Sequence, residues 1–190
     1  MPPDNCFGNS YVIDGHSYYC VTFPDINRTL CYDVVTDKWH DRSSSGDGSG
    51  AWRPLQIGRI GEEVYAGDAT GRMYRLDTLS GTDNGVAMIR QATLPPLYAD
   101  GNRVFCARAS VEMEVGGTPP PGNVTLDWSD DGGNTFVGGP RVLSGGTAGQ
   151  LRQRVYATRL GSFRERVFRV TAYGRTTLYG CECDLSPGAS

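Results

Sequence analysis

Apolar residues in this chain fall in short runs broken by Gly, Pro, Asp and Asn, and no long stretch carries them at helical spacing. Short strands joined by tight turns are the elements such a pattern predicts. In the N-terminal half, residues 18–23 and 29–34 flank a turn-rich segment at 24–28, and the second strand is expected to run on to Trp39. A turn about Asp25 and Ile26 sets Cys20 directly opposite Cys31. A second hairpin is expected from residues 62–67 and 72–77 around Asp68-Ala-Thr-Gly71. Aligning Cys31-Tyr-Asp-Val-Val-Thr36 with Met73-Tyr-Arg-Leu-Asp-Thr78 gives an offset of 42 residues, the repeat length of a propeller blade. From Asn102 the strands lengthen, to 103–115, 123–129, 135–143, 152–160, 165–173 and 176–185, as in an antiparallel sandwich or barrel.

The expected fold is therefore all-β: two propeller-like blades over residues 1–95, then an antiparallel β-domain over 96–190. The boundary is placed at Leu94-Pro-Pro-Leu97, where paired prolines interrupt the sheet pattern. Two blades leave sheet faces that must be covered by something else, because a blade is normally closed in by its neighbours. Residues 43–50, Ser-Ser-Ser-Gly-Asp-Gly-Ser-Gly, read as a polar loop; no Gly-Lys-Ser/Thr follows, so this is not a P-loop. The Gly- and Pro-rich residues 116–122 read as a semi-rigid connector.

Composition adds little to this except in its charge. With 190 residues, 38% of them hydrophobic, the chain can bury a real core. No run approaches the length of about eighteen apolar residues of a membrane span, and no membrane partner is expected. The first residues lack the basic and apolar regions of a signal peptide, so cytoplasmic synthesis is expected. The net charge of -3 conceals an asymmetry: residues 141–190 hold eight arginines against three acids, +5, which leaves -8 on residues 1–140. Lys38 is the one lysine, so the positive charge sits on guanidinium groups suited to phosphate or carboxylate. Arg152, Arg154, Arg159, Arg164 and Arg166 are the candidates to face DNA or an interface; paired with acids, they would instead form a solvated sheet face.

Candidate chemistry is sparse. Ser129-Asp-Asp-Gly-Gly-Asn-Thr-Phe136 has the Ser-x-Asp-x-Gly-x-Thr-aromatic spacing of an Asp-box hairpin, with Ser129, Asp131, Gly133, Thr135 and Phe136 in structural turn roles. Asp131 is expected to accept amide hydrogen bonds within the turn. Asp-boxes and a blade period also suit a glycan-binding or sialidase-like module, for which Glu62, Asp68, Asp130 and Asp131 would be the candidate carboxylates. Six cysteines follow no zinc spacing and read as buried, reduced apolar residues. His16 and His40 read as loop or surface residues, and neither lies near a Gly-x-Ser-x-Gly elbow. No catalytic residue, metal or cofactor is expected.

The order of these features resembles the C-terminal part of the packaged-DNA stabilisation proteins of short-tailed bacteriophages, the tail hub or nozzle proteins. The resemblance runs from about Gly15 to Gly180 and rests on a series of motifs. These are Tyr18-Tyr-Cys-Val-Thr-Phe23 with Cys31-Tyr-Asp-Val-Val-Thr-Asp-Lys-Trp-His40, Tyr65-Ala-Gly-Asp-Ala-Thr-Gly-Arg-Met-Tyr-Arg-Leu-Asp77, Asp100-Gly-Asn-Arg-Val-Phe105, Leu126-Asp-Trp-Ser-Asp-Asp-Gly-Gly-Asn-Thr-Phe136 and residues 152–170. It implies a propeller followed by a smaller β-domain, assembled as a symmetric ring, expected to be a hexamer, with DNA passing through its centre. The implied partners are other copies of the chain, the tail adaptor or head-to-tail connector proteins and packaged DNA, bound without sequence preference. The family's N-terminal blades have no counterpart in this sequence, so the expectation is either half of a split nozzle, with a separate chain supplying the missing blades as a further partner, or a shorter relative whose two blades are covered by other subunits. The implied location is the virion tail.

Overall fold

The computed structural model describes residues 5–115, 124–145 and 152–188. The expected connector at 116–122 lies outside the described residues. Two compact units meet at Val86/Ala87.

The first unit opens with β1 (Phe7–Ile13), β2 (His16–Phe23), β3 (Arg28–Asp33) and β4 (Lys38–Arg42), an antiparallel meander in that order. Asp14 and Gly15 both take positive φ, 48° and 80°, the two-residue turn whose twist suits a hairpin. The register pairs Cys20 with Cys31, as expected. The strand expected to run on to Trp39 instead stops at Asp33. The Asp33 carboxylate accepts from the Val35 amide (3.0 Å) and the Thr36 hydroxyl (2.9 Å), Asp37 takes φ 55°, and the chain returns as β4. An Asp that satisfies groups two and three residues ahead favours a turn over continued extension. The strand β1 had no expectation attached to it.

Next come β5 (Gln56–Ile60), β6 (Glu63–Gly67) and β7 (Met73–Leu76), a three-stranded antiparallel sheet, followed by the short pair β8 (Thr82–Asp83) and β9 (Val86–Ala87). Tyr11, Cys20, Cys31 and Val64 form the buried centre, with Ile13, Tyr18, Trp52, Ile57 and Leu76 packed on it. The 42-residue alignment matches Cys31, which is buried, with Met73, which is 65% exposed. Leu76 is the β7 residue that packs on the centre. Because side chains alternate with period two, a shift of three positions exchanges the faces, so the sequence alignment is out of structural register.

The second unit contains β10 (Ile89–Thr93), β11 (Leu97–Tyr98), β12 (Val104–Val115), β13 (Val124–Ser129), β14 (Val137–Val142), β15 (Ser144–Gly145), β16 (Arg152–Thr158), β17 (Ser162–Phe163), β18 (Glu165–Tyr173) and β19 (Thr176–Pro187). One sheet has the order β10-β18-β13-β14, with β11 also on β18; the other has β15-β16-β12-β17, with β19 also on β12. They share one core: Ala109, Val111 and Met113 of β12 and Val155 and Ala157 of β16, with Leu126 of β13 and Phe168, Val170 and Ala172 of β18. This is a β-sandwich. Phe168 and Leu126 are each at most 1% exposed, and burial of such a side chain contributes about 1.5–3 kcal/mol.

The units divide ahead of the expected boundary after residue 95. Both β10 and β11 pair with β18. Pro95 and Pro96 therefore separate two pieces of one edge strand, a position that tolerates a missing amide donor, and do not mark the end of a domain.

Candidate functional site

The turn after β13 is built from its own side chains. Ser129 is fully buried; its hydroxyl donates to the Asp131 carboxylate (2.5 Å) and accepts from the amides of Gly133 (2.9 Å) and Asp131 (3.3 Å). The Asp131 carboxylate also accepts from the Thr135 amide (2.9 Å) and the Thr135 hydroxyl. Gly132 and Gly133 take φ of 75° and 93°, which an L side chain rarely adopts. Hydrogen bonds from the hydroxyls of Ser129 and Thr135, then from the Thr135 amide, hold the Asp131 carboxyl down at about 2. Phe136 lies beneath the Arg169 guanidinium, 3.7 Å from the ring centroid.

The other carboxylates considered for glycoside chemistry are similarly engaged. Asp68 accepts from the Thr70 amide (2.8 Å) and hydroxyl (2.7 Å), the Arg72 amide (3.1 Å) and the Tyr74 hydroxyl (2.9 Å). Its carboxyl is held at about 2, chiefly by Thr70. Glu62 pairs with Arg59 at the surface, and Asp130 is bound to Arg166. His16 begins β2 and bonds Asp33 through Nδ1 at 2.8 Å. The bond ties the start of β2 to Asp33, the residue that shapes the turn after β3. Burial raises the Asp33 carboxyl, but hydrogen bonds from His16, Thr36 and the Val35 amide outweigh this and leave it below its ordinary value. No cluster of three or more metal-ligating side chains is found among the described residues.

The five arginines considered for DNA do not share one environment. On β16, Arg152 pairs with Glu112 (2.8 Å) and lies over the Tyr179 ring (5.0 Å), while Arg154 pairs with Glu182 (3.0 Å). Arg108 and Asp184 (3.0 Å) continue the same pattern, so this sheet carries a lattice of alternating charge. That is the solvated, acid-paired face considered as the alternative for these residues. Arg166 is inside the molecule, 2% exposed. It forms a two-pronged bond to Asp130 (2.6 and 2.7 Å), donates to the Leu160 carbonyl (2.6 Å), and lies 4.5, 5.1 and 5.8 Å from the ring centroids of Phe163, Trp128 and Phe168. It cannot line a channel. Arg159, at φ 58°, and Arg164 are exposed and carry no ion pair among the described residues.

The companion of Arg166 had no expectation attached to it. Arg169 is bound to Asp127 on β13, directly opposite in the β13–β18 register. The sequence does hold one signal for it: Asp127-x-x-Asp130 and Arg166-x-x-Arg169 have the same spacing, and antiparallel pairing brings each acid to an arginine.

The described residues are thus all-β, with the candidate carboxylates tied into turns and ion pairs. A family model described as bacteriophage P22 Gp10, beta-sandwich, matches residues 89–186, just over half the chain, and the chain belongs to that family. It is thus a bacteriophage structural tail protein and a component of the virion. No curated protein matches it.

Proposed function

We propose that the chain is a ring-forming hub or nozzle component of a short-tailed phage tail that helps to retain and conduct packaged DNA. In this reading the first unit, up to Val86, contributes two propeller-like blades and the second, from Ala87, the sandwich domain, and neighbouring copies or adaptor proteins cover what the blades leave open. The carrying observation is the outer face of the β1–β4 sheet. Val12, Tyr19 and Trp39 are 49%, 48% and 57% exposed there, and the Tyr32 and Trp39 rings lie 5.1 Å apart. Aromatic groups gathered on one sheet face are costly in water and contribute strongly to association once covered.

Of the five arginines, Arg159 and Arg164 are the two free to meet phosphate in this reading. The assembly is tested by imaging purified particles with this chain labelled and by sedimentation of the isolated chain. Tail localisation, with self-association weakened by Trp39→Ser and Tyr19→Ser, supports the proposal. A concentration-independent monomer absent from the tail overturns it.

A further inference from the structure

The β2–β3 hairpin places two free, buried thiols face to face: Cys20 is 2% exposed and Cys31 is fully buried. Their pairing type follows from one backbone bond. The Val34 amide donates to the Ser17 carbonyl (2.9 Å), which makes Ser17 and Val34 a hydrogen-bonded pair. Antiparallel pairs alternate, so Tyr18–Asp33 is non-hydrogen-bonded, Tyr19–Tyr32 hydrogen-bonded and Cys20–Cys31 non-hydrogen-bonded. In that class the Cα atoms stand about 4.5 Å apart with the side chains at their closest. A disulfide spans Cα separations from about 4.4 to 6.8 Å, so the pair can close at the short end of the range without moving the strands apart.

The surroundings make the two thiols unequal. His40 is directly opposite Cys31 on β4, and the Arg42 guanidinium lies over the Tyr11 and Tyr18 rings beside it. The hydrogen bond from Cys20 lowers the Cys31 thiol; burial opposes this, and His40 and Arg42 lower it further. Accordingly the same hydrogen bond, together with burial, raises Cys20. A thiolate next to a thiol is the arrangement that thiol oxidation uses. In the sandwich the buried Cys106 thiol meets that of the half-buried Cys183, which also meets Cys181 on the same strand, but Cys106 lies opposite Leu185 in the register, so no two of these three thiols form a directly opposed cross-strand pair.

We propose that Cys20 and Cys31 are a built-in cross-strand disulfide site, closed by a hydroperoxide and reopened by thiol reductants. The Cys31 thiolate attacks one peroxide oxygen; the S–O bond forms, the O–O bond breaks, and the other oxygen leaves and takes a proton, as water or an alcohol. Cys20 then gives up its proton and attacks the Cys31 sulfur. The S–S bond forms, the S–O bond breaks and the hydroxide leaves as water. Each sulfur has lost one electron and the peroxide has gained two. Cys31 is buried among Tyr11, Cys20 and Val64, so oxidant reaches it through local opening of this unit.

The test treats the folded chain with hydrogen peroxide, blocks the remaining thiols and digests with trypsin. Cleavage after Arg28 and Lys38 leaves Cys20 in residues 1–28 and Cys31 in residues 29–38. Cys6 shares the first peptide, so the background is Cys6→Ser. The expected product is the linked peptide pair, lost on dithiothreitol treatment and in Cys20→Ala and Cys31→Ala, with the oxidised chain melting above the reduced one. Unlinked peptides, a link through Cys106, or Cys31 oxidised to sulfinic acid beside a free Cys20 would each overturn the proposal. The Cys6→Ser chain, in which Cys20 and Cys31 are unchanged, provides this readout even if a Cys20 or Cys31 variant fails to fold.

Discussion

Replacing Arg166 by Met keeps most of the aliphatic stem and removes the guanidinium. Three contributions are then lost. The charge-assisted bonds to Asp130 are worth about 1.5 kcal/mol, the low end for such bonds, because the Asp130 side chain is 42% exposed and water can replace its partner. The Leu160 carbonyl loses its donor at a cost of about 1 kcal/mol. The three rings around the guanidinium lose a desolvated cation worth about 1 kcal/mol, while the Met stem preserves much of their packing. The expected destabilisation is about 3–4 kcal/mol, or roughly a 15 °C fall in the melting temperature of a domain of this size. Far-UV circular dichroism melts and urea titration measure it. Asp130→Asn should cost less than Arg166→Met, and the double variant less than the sum, with a coupling of about 1–2 kcal/mol. An Arg166→Met protein melting within a few degrees of wild type, but with weakened DNA binding, would refute the reasoning and return Arg166 to a channel.

Three further outcomes are expected. Asp131 and Asp68 titrate below their unfolded value when folded, so their stabilising contribution is complete above about pH 4 and disappears as pH falls toward 2. The melting-temperature gap between wild type and Asp131→Asn should narrow over that interval, and a gap constant with pH would contradict it. Phe168→Ala, at a site 1% exposed between the sheets, should cost about 3–5 kcal/mol in urea denaturation. If Arg159 and Arg164 meet phosphate, their alanine variants should each reduce the slope of log affinity for duplex DNA against log salt by about 0.9, while Arg152→Ala leaves it almost unchanged; equal effects from all three would argue for diffuse charge.

The local grammar of this chain is legible in the order of its residues alone. The six long strands of the sandwich, the Cys20–Cys31 register and the self-bonded turn at 129–136 depend on residues close in sequence, through alternation, turn chemistry and the reach of a short carboxylate. Even here strand ends depart from the pattern where a side chain competes with the ladder, as when Asp33 stops β3. Longer-range choices are a different matter. Pro95-Pro96 has the look of a domain boundary, and its actual place on one edge of β18 depends on a strand distant in sequence. The fate of the arginines is hidden for the same reason. Arg152 and Arg166 look equivalent along the chain, yet one sits on a solvated charge lattice and the other closes the end of an apolar core, because only sheet pairing and stacking decide which acid and which rings a guanidinium meets.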